Sequence, residues 1–173
     1  MDFCEEMDRR MRDPEFLRHV CFSDESTFHL TGYVNRHNCR YWSQENPHVI
    51  SEAHTQERQK LNVWAGILGT QLIGPFFIEG NLNGELYLDM LQNLIVPAMR
   101  TAAAAQNMVW TDVIFQQDGA PAHFKREVTD YLNQTFPNRW IGRNGPTRWP
   151  PRSPDLTPLD FFLWGFLKDR VFR

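Results

Sequence analysis

A chain of 173 residues with 42% hydrophobic and 13% aromatic residues has the apolar material for one domain with a sizeable core, which excludes intrinsic disorder. The net charge of −3 excludes a uniformly basic nucleic-acid coat, although a local positive segment remains compatible with it. No run of 18 apolar residues occurs, so no membrane-spanning helix is expected, and three cysteines at irregular spacing point to a reducing compartment rather than a disulfide framework.

The opening MDFCEEMDRRMRD is charged and amphipathic, without the apolar stretch of a secretory signal. It reads as a helix over residues 1–12, ended by Pro14. His19 to Asp24 reads as a strand, with Thr27 to Val34 as its hairpin partner. Residues 35–60 are polar and irregular. LNVWAGIL (61–68) is a strongly apolar strand, and LIGPFFI (72–78) returns beside it, with Pro75 marking an edge or a bulge. Residues 84–105 switch to a period near 3.6 and form the longest helix, with Pro97 as a kink or restart. VIFQQ (113–117) is a short buried strand, a helix follows over about 125–133, and the Pro- and Gly-rich 136–156 reads as loop. Pro158 to Phe172 is a closing helix. Antiparallel strands first, then a strand–helix crossing, predict an α/β fold with a mixed central sheet flanked by helices.

Three carboxylates stand out by position: Asp24 in the first strand, Asp118 after VIFQQ, and Asp160 at the start of the closing helix. Brought together, they would repel one another unless a cation neutralised them. Their hard oxygens suit Mg²⁺ or Mn²⁺, and a pair of such ions can activate a water or a 3′-hydroxyl and stabilise the leaving oxygen of a phosphodiester. Each acid also has an ordinary role open to it. Asp118-Gly119 is a common turn pair, and Asp24-Glu25-Ser26 fits a hairpin shoulder. Asp160 fits the third position of a helix capped by Thr157.

From Tyr131 to Pro154 there is no Asp or Glu, but Arg139, Arg143, Arg148 and Arg152 occur, interleaved with Trp140 and Trp149. This segment is either a solvated loop or a phosphate-contacting surface. His123 and Lys125, just past Asp118, are candidate DNA contacts with those four arginines. No nucleophile elbow, phosphate-binding loop or dinucleotide glycine pattern is present, and Cys21, His37 and Cys39 match no common zinc spacing.

FSDES, QQDGAPAH and WPPRSPDLTPLDFFLWG resemble, in order, the three catalytic blocks of the Tc1/mariner transposases, and NRHNCRYW and LNVWAGIL look like the segments between them. The resemblance runs from about Phe3 to the end. It implies an RNase H-like fold and a metal-binding triad, Asp24, Asp118 and Asp160, that cuts DNA and joins a 3′-hydroxyl to target DNA. Asp160 rather than Asp155 is the third acid, since it follows the SPDLTP element. The 41 residues between Asp118 and Asp160 exceed the typical mariner spacing and indicate a DD41D type, with the extra residues in the Arg/Trp-rich loop.

The resemblance also implies Mg²⁺ or Mn²⁺ as a pair of ions, DNA (transposon ends and target) as the partner, a homodimer, and a nuclear location. No membrane and no small-molecule substrate are expected. The family's N-terminal DNA-reading helices find no counterpart upstream of Asp24, and its chains continue past Arg173. Residues 1–19 are therefore expected to be a helical remnant of a linker, and 20–173 a catalytic core from a truncated or domesticated element. The alternatives are an inactive RNase H-like remnant that binds DNA or a protein and a cellular RNase H-like nuclease.

Overall fold

The computed structural model describes residues 3–29 and 60–172. Its elements in chain order begin with α1 (Phe3–Met11), α2 (Phe16–His19), β1 (Val20–His29), β2 (Lys60–Leu68) and β3 (Gln71–Ile78). Helix α3 (Gly84–Met90) runs through a π turn, Leu91–Ile95, into α4 (Val96–Ala105). Then come β4 (Ile114–Gln116), α5 (Arg126–Thr135), β5 (Trp140–Gly142), β6 (Thr147–Arg148) and α6 (Trp164–Val171), the last entered through a π turn, Leu159–Leu163. Among the described residues, no helix is long and apolar enough to cross a membrane.

The strand order is β3-β2-β1-β4-β5-β6. β1, β2 and β3 pair antiparallel, while β1-β4, β4-β5 and β5-β6 pair parallel. This is the expected mixed sheet. The alternation of β2 shows how it is packed: Trp64 enters the larger core with Tyr87, Met90, Ile95 and Met99, whereas Val63 and Ala65 face Leu159 and Trp164 on the other side. The long helix therefore covers one face and the closing helix the other. The β3 edge carries the Pro75 irregularity, a cis Gly74–Pro75 bond, and a register shift lies between Trp64 and Gly66 of β2. Pro97 sits in the first turn of α4, where its missing N–H is harmless, so the helix restarts there.

Two expectations are corrected. There is no hairpin shoulder at Asp24-Glu25-Ser26: β1 runs unbroken to His29 and its antiparallel partner is β2, with Asp24 opposite Ala65. The rest of the expected partner strand, residues 30–34, lies outside the described residues, as do 35–59 and the NRHNCRYW segment. The predicted loop 136–156 also contains two strands. Trp140 and Ile141 are buried and pair with β4 despite the surrounding Gly and Pro, because WIG is apolar enough to continue the parallel sheet. The N-terminal helix docks at this edge, with Arg10 Nη2 donating to Thr147 Oγ1 at 3.0 Å and Phe3 packed edge-on to Trp149.

Candidate active site

β1 and β4 are adjacent parallel strands with Phe22 paired to Gln116. Asp24 and Asp118 each lie two residues beyond that pair, which places them at the same level. Within β1 the side chains alternate. Phe22 and Phe28 pack on the closing-helix side, so Asp24 points that way and its neighbour Glu25 points to the opposite face.

On the closing-helix side, Trp164 Nε1 donates to Asp24 Oδ2 at 2.7 Å. Burial raises the Asp24 carboxyl to about 8, and the charges of Asp160 and Glu25 push the same way. Asp160 is also raised, by burial first and by the charge of Asp118, against hydrogen bonds from Thr157 and Asp24 that work the other way. Asp24 and Asp160 are thus near enough to affect one another's ionisation, and Asp118 adds its charge to Asp160. Thr157 fixes Asp160 in two ways: its hydroxyl accepts from the Asp160 N–H at 3.2 Å and donates to Asp160 Oδ2 at 3.0 Å. The capping arrangement and the cleft-facing carboxylate are one geometry. Lys168 lies close enough to feel both acids, although burial lowers its own pKa.

Asp118 is also both things at once. Its Oδ1 accepts from the Ala120 N–H at 2.9 Å, which is an Asx turn, and it faces His123 Nδ1 at 2.7 Å. Burial raises the Asp118 carboxyl, but the His123 hydrogen bond and charge win and hold it below its ordinary value.

A cavity of about 540 Å³ opens beside two of these acids, lined by Asp118, Asp160, Arg143, Arg152, Trp149 and several prolines, while Asp24 lies outside its lining. Asp155 is exposed and does not line it. Arg143 spans the cleft wall with its guanidinium 4.1 Å from the Phe124 ring centroid.

The other expected DNA contacts are placed elsewhere. His123 is only 2% exposed and bonded to two carboxylates, so it cannot reach a phosphate. Arg139 Nη1 donates to the carbonyls of Trp110 and Val113, and its Nη2 to that of Thr135 at 3.2 Å. It is a structural staple between α5 and the entry to β4. Lys125 lays its aliphatic stem over Gly84 at the start of α3, and Arg148 is exposed on β6 away from the cleft. Glu25 and Trp164 escaped the sequence reading. Strand alternation could have flagged Glu25, but nothing in the sequence announces the indole's reach across 140 positions.

The donor chemistry fits a hard divalent cation: three carboxylates, two of them raised by burial and by neighbouring acid charges, on a strand, a strand end and a helix start. Among the described residues, however, no three His, Cys, Asp or Glu side chains already stand as a finished metal cage.

The model of the DDE superfamily endonuclease family matches residues 19–173. The chain is 28% identical over 151 residues to the transposable element Tc3 transposase of Caenorhabditis elegans, covering 86% of this chain and 40% of that protein. It thus spans less than half the length of that relative. The fold is similar to the catalytic domain of Mos1 mariner transposase, with TM-score 0.67 and 20% identity over 97% of this chain and 67% of that one. It is also similar to a pre-cleavage Mos1 transpososome, with TM-score 0.71 and 21% identity over 97% of this chain and 47% of that one. The RNase H-like architecture is therefore shared, and the chain belongs to the DDE superfamily endonuclease family, as its Tc1/mariner resemblance implied.

Proposed function

We propose that this chain is the catalytic core of a transposase that cleaves DNA and joins the freed 3′-hydroxyl to a target, with Asp24, Asp118 and Asp160 as the carboxylates that hold Mg²⁺ or Mn²⁺. The observation that carries it is the Trp164–Asp24 bond, which seats Asp24 against the helix that presents Asp160, with Asp118 level with Asp24 on the next strand. Acids crowded with others, as Asp24 and Asp160 are, gain from a cation, and the cleft beside Asp118 and Asp160 carries two arginines suited to a phosphate backbone. Mos1 structures with Mg and with Mn support the choice of ions, and a Mos1 paired-end complex with a transposon end supports DNA as the substrate.

When bound, a divalent ion supplies charge neutralisation and a more acidic water or hydroxyl. The chain's own part is positioning: β1 and β4 fix the level of two carboxylates, and the Thr157 cap fixes the third. Arg143 and Arg152 hold the DNA backbone over them. A nuclear location and a dimeric assembly go with this reading.

The test is a plasmid-nicking assay on the purified chain with MnCl₂ or MgCl₂. Nicking is expected, and Asp118→Asn should abolish it. An Asn variant as active as the parent would overturn the metal role. Absence of any thermal shift at millimolar Mn²⁺ would favour an RNase H-like remnant without catalysis.

A further inference from the structure

His123 is the buried centre of a bridge that crosses the sheet. Its Nδ1 faces Asp118 Oδ1 at 2.7 Å, and its Nε2 faces Glu25 Oε1 at 3.2 Å. Carboxylates on both sides leave each ring nitrogen the role of donor. The ring packs against Tyr87 at a tilt of 36°, with centroids 4.4 Å apart. Tyr87 donates its hydroxyl to Gln117 Oε1 at 2.8 Å, and Gln117 Nε2 donates to the His123 carbonyl at 2.9 Å. Ring and backbone of His123 are therefore both held.

The consequence falls on Asp118. Among the described residues its donors are the Ala120 N–H and His123, and both go to Oδ1. A carboxylate bonded twice through one oxygen cannot exchange its oxygens by rotation without losing both bonds. The other oxygen is thereby kept for the cleft. Glu25 is the residue next to Asp24 in β1, turned to the opposite face, so one strand supplies a metal-facing acid and the anchor for the histidine that holds another.

We propose that His123, backed by Glu25, is the positioning residue that fixes Asp118 for metal binding. This inference rests on the metal-dependent reading above. Its test separates the two ring contacts. Asn at 123 places an amide donor near the position of Nδ1, toward Asp118, whereas Gln reaches toward Glu25 and leaves Asp118 loose. The affinity of the whole chain for Mn²⁺ alone is measured by electron paramagnetic resonance of the free ion, beside thermal unfolding without metal.

His123→Gln is expected to weaken Mn²⁺ binding about 10- to 100-fold, the usual effect of losing a partner that orients a ligand, while His123→Asn recovers most of it. Glu25→Ala, at a less buried position, is expected to weaken binding on the order of 10-fold, and it decides the matter if the His123 variants fail to fold. Parental Mn²⁺ affinity in His123→Gln or Glu25→Ala overturns the proposal. Equal loss in His123→Gln and His123→Asn also overturns it, because the ring would then act by packing alone. Parental affinity in Asp118→Asn sinks the metal reading itself, a result distinct from failure of the His123 variants alone.

Discussion

Trp164 donates its indole N–H to Asp24 across the interface between β1 and the closing helix. The bond joins the first acid of the site to the helix that presents the third. Trp164 is only 5% exposed, so this donor operates out of water, where a bond to a carboxylate is strongest.

Trp164→Phe keeps most of the buried ring and removes the donor. It should cost about 0.5–1.5 kcal/mol in unfolding free energy below about pH 8, where the Asp24 carboxyl is neutral, and about 1.5–3 kcal/mol above it, where the bond is to a charged group. Since the indole lowers the Asp24 pKa, its loss should also move the pH profile of nicking upward. Denaturant melts and a pH–rate profile check the two halves separately.

The metal-free chain should lose thermal stability as pH rises from about 4 toward 8. Asp24 is raised from its ordinary 3.8 to about 8, so its contribution is present in full below 3.8 and disappears as pH climbs through 8. His123 acts in the same direction at higher pH. Burial disfavours its charge, but Glu25 and Asp118 outweigh burial and raise it from 6.5 to about 10, so its contribution fades toward pH 10. Asp118 is lowered, so its contribution is present above 3.8 and is lost as pH falls below that. Asp24→Asn should flatten the melting curve between pH 4 and 8, and Mn²⁺ should raise the midpoint most at the alkaline end.

Arg143→Ala and Arg152→Ala should each weaken DNA binding and lower the salt slope of the affinity by about 1, the signature of one lost phosphate contact. Arg148→Ala, on β6 outside the cleft, should leave the slope unchanged. Titration of a labelled duplex at several salt concentrations distinguishes these outcomes.

Arg139→Ala should leave DNA affinity unchanged and destabilise the fold by about 2 kcal/mol, because three backbone carbonyls lose a charged donor. A loss of affinity at full stability would return Arg139 to the DNA surface.

The architecture was legible because periodicity changes cleanly along this chain. LNVWAGIL and VIFQQ have the length and apolarity of strands, and the pattern over 84–105 is helical. The start of β1 was legible to within one residue, but its far end was not. Glu25 and Ser26 look like turn residues, but Glu25 is satisfied by His123 and Ser26 sits buried in the ladder opposite Val63, so tertiary contacts override the polar composition. WIG was hidden for the opposite reason: two apolar residues among Gly, Pro and Arg are too few to show a period. The arginines divided along a line no composition could draw, since Arg139 and Arg143 differ in what lies within reach rather than in type. His123 was singled out on position alone, and its burial reversed its role.

The side-by-side acids of β1 make strand registration part of the site. A slip of one residue against β2 would put Glu25 opposite Ala65 with Ser26 opposite Trp64, or Ser23 opposite Ala65 with Asp24 opposite Trp64. Only one of the two places would still carry an acid, because Ser23 or Ser26 would enter the other: either the metal-facing acid or the anchor of the histidine would be lost. A single inserted or deleted residue in β1 would therefore disarm the molecule more surely than a longer change in the proline-rich wall of the cleft, where no partner strand keeps count.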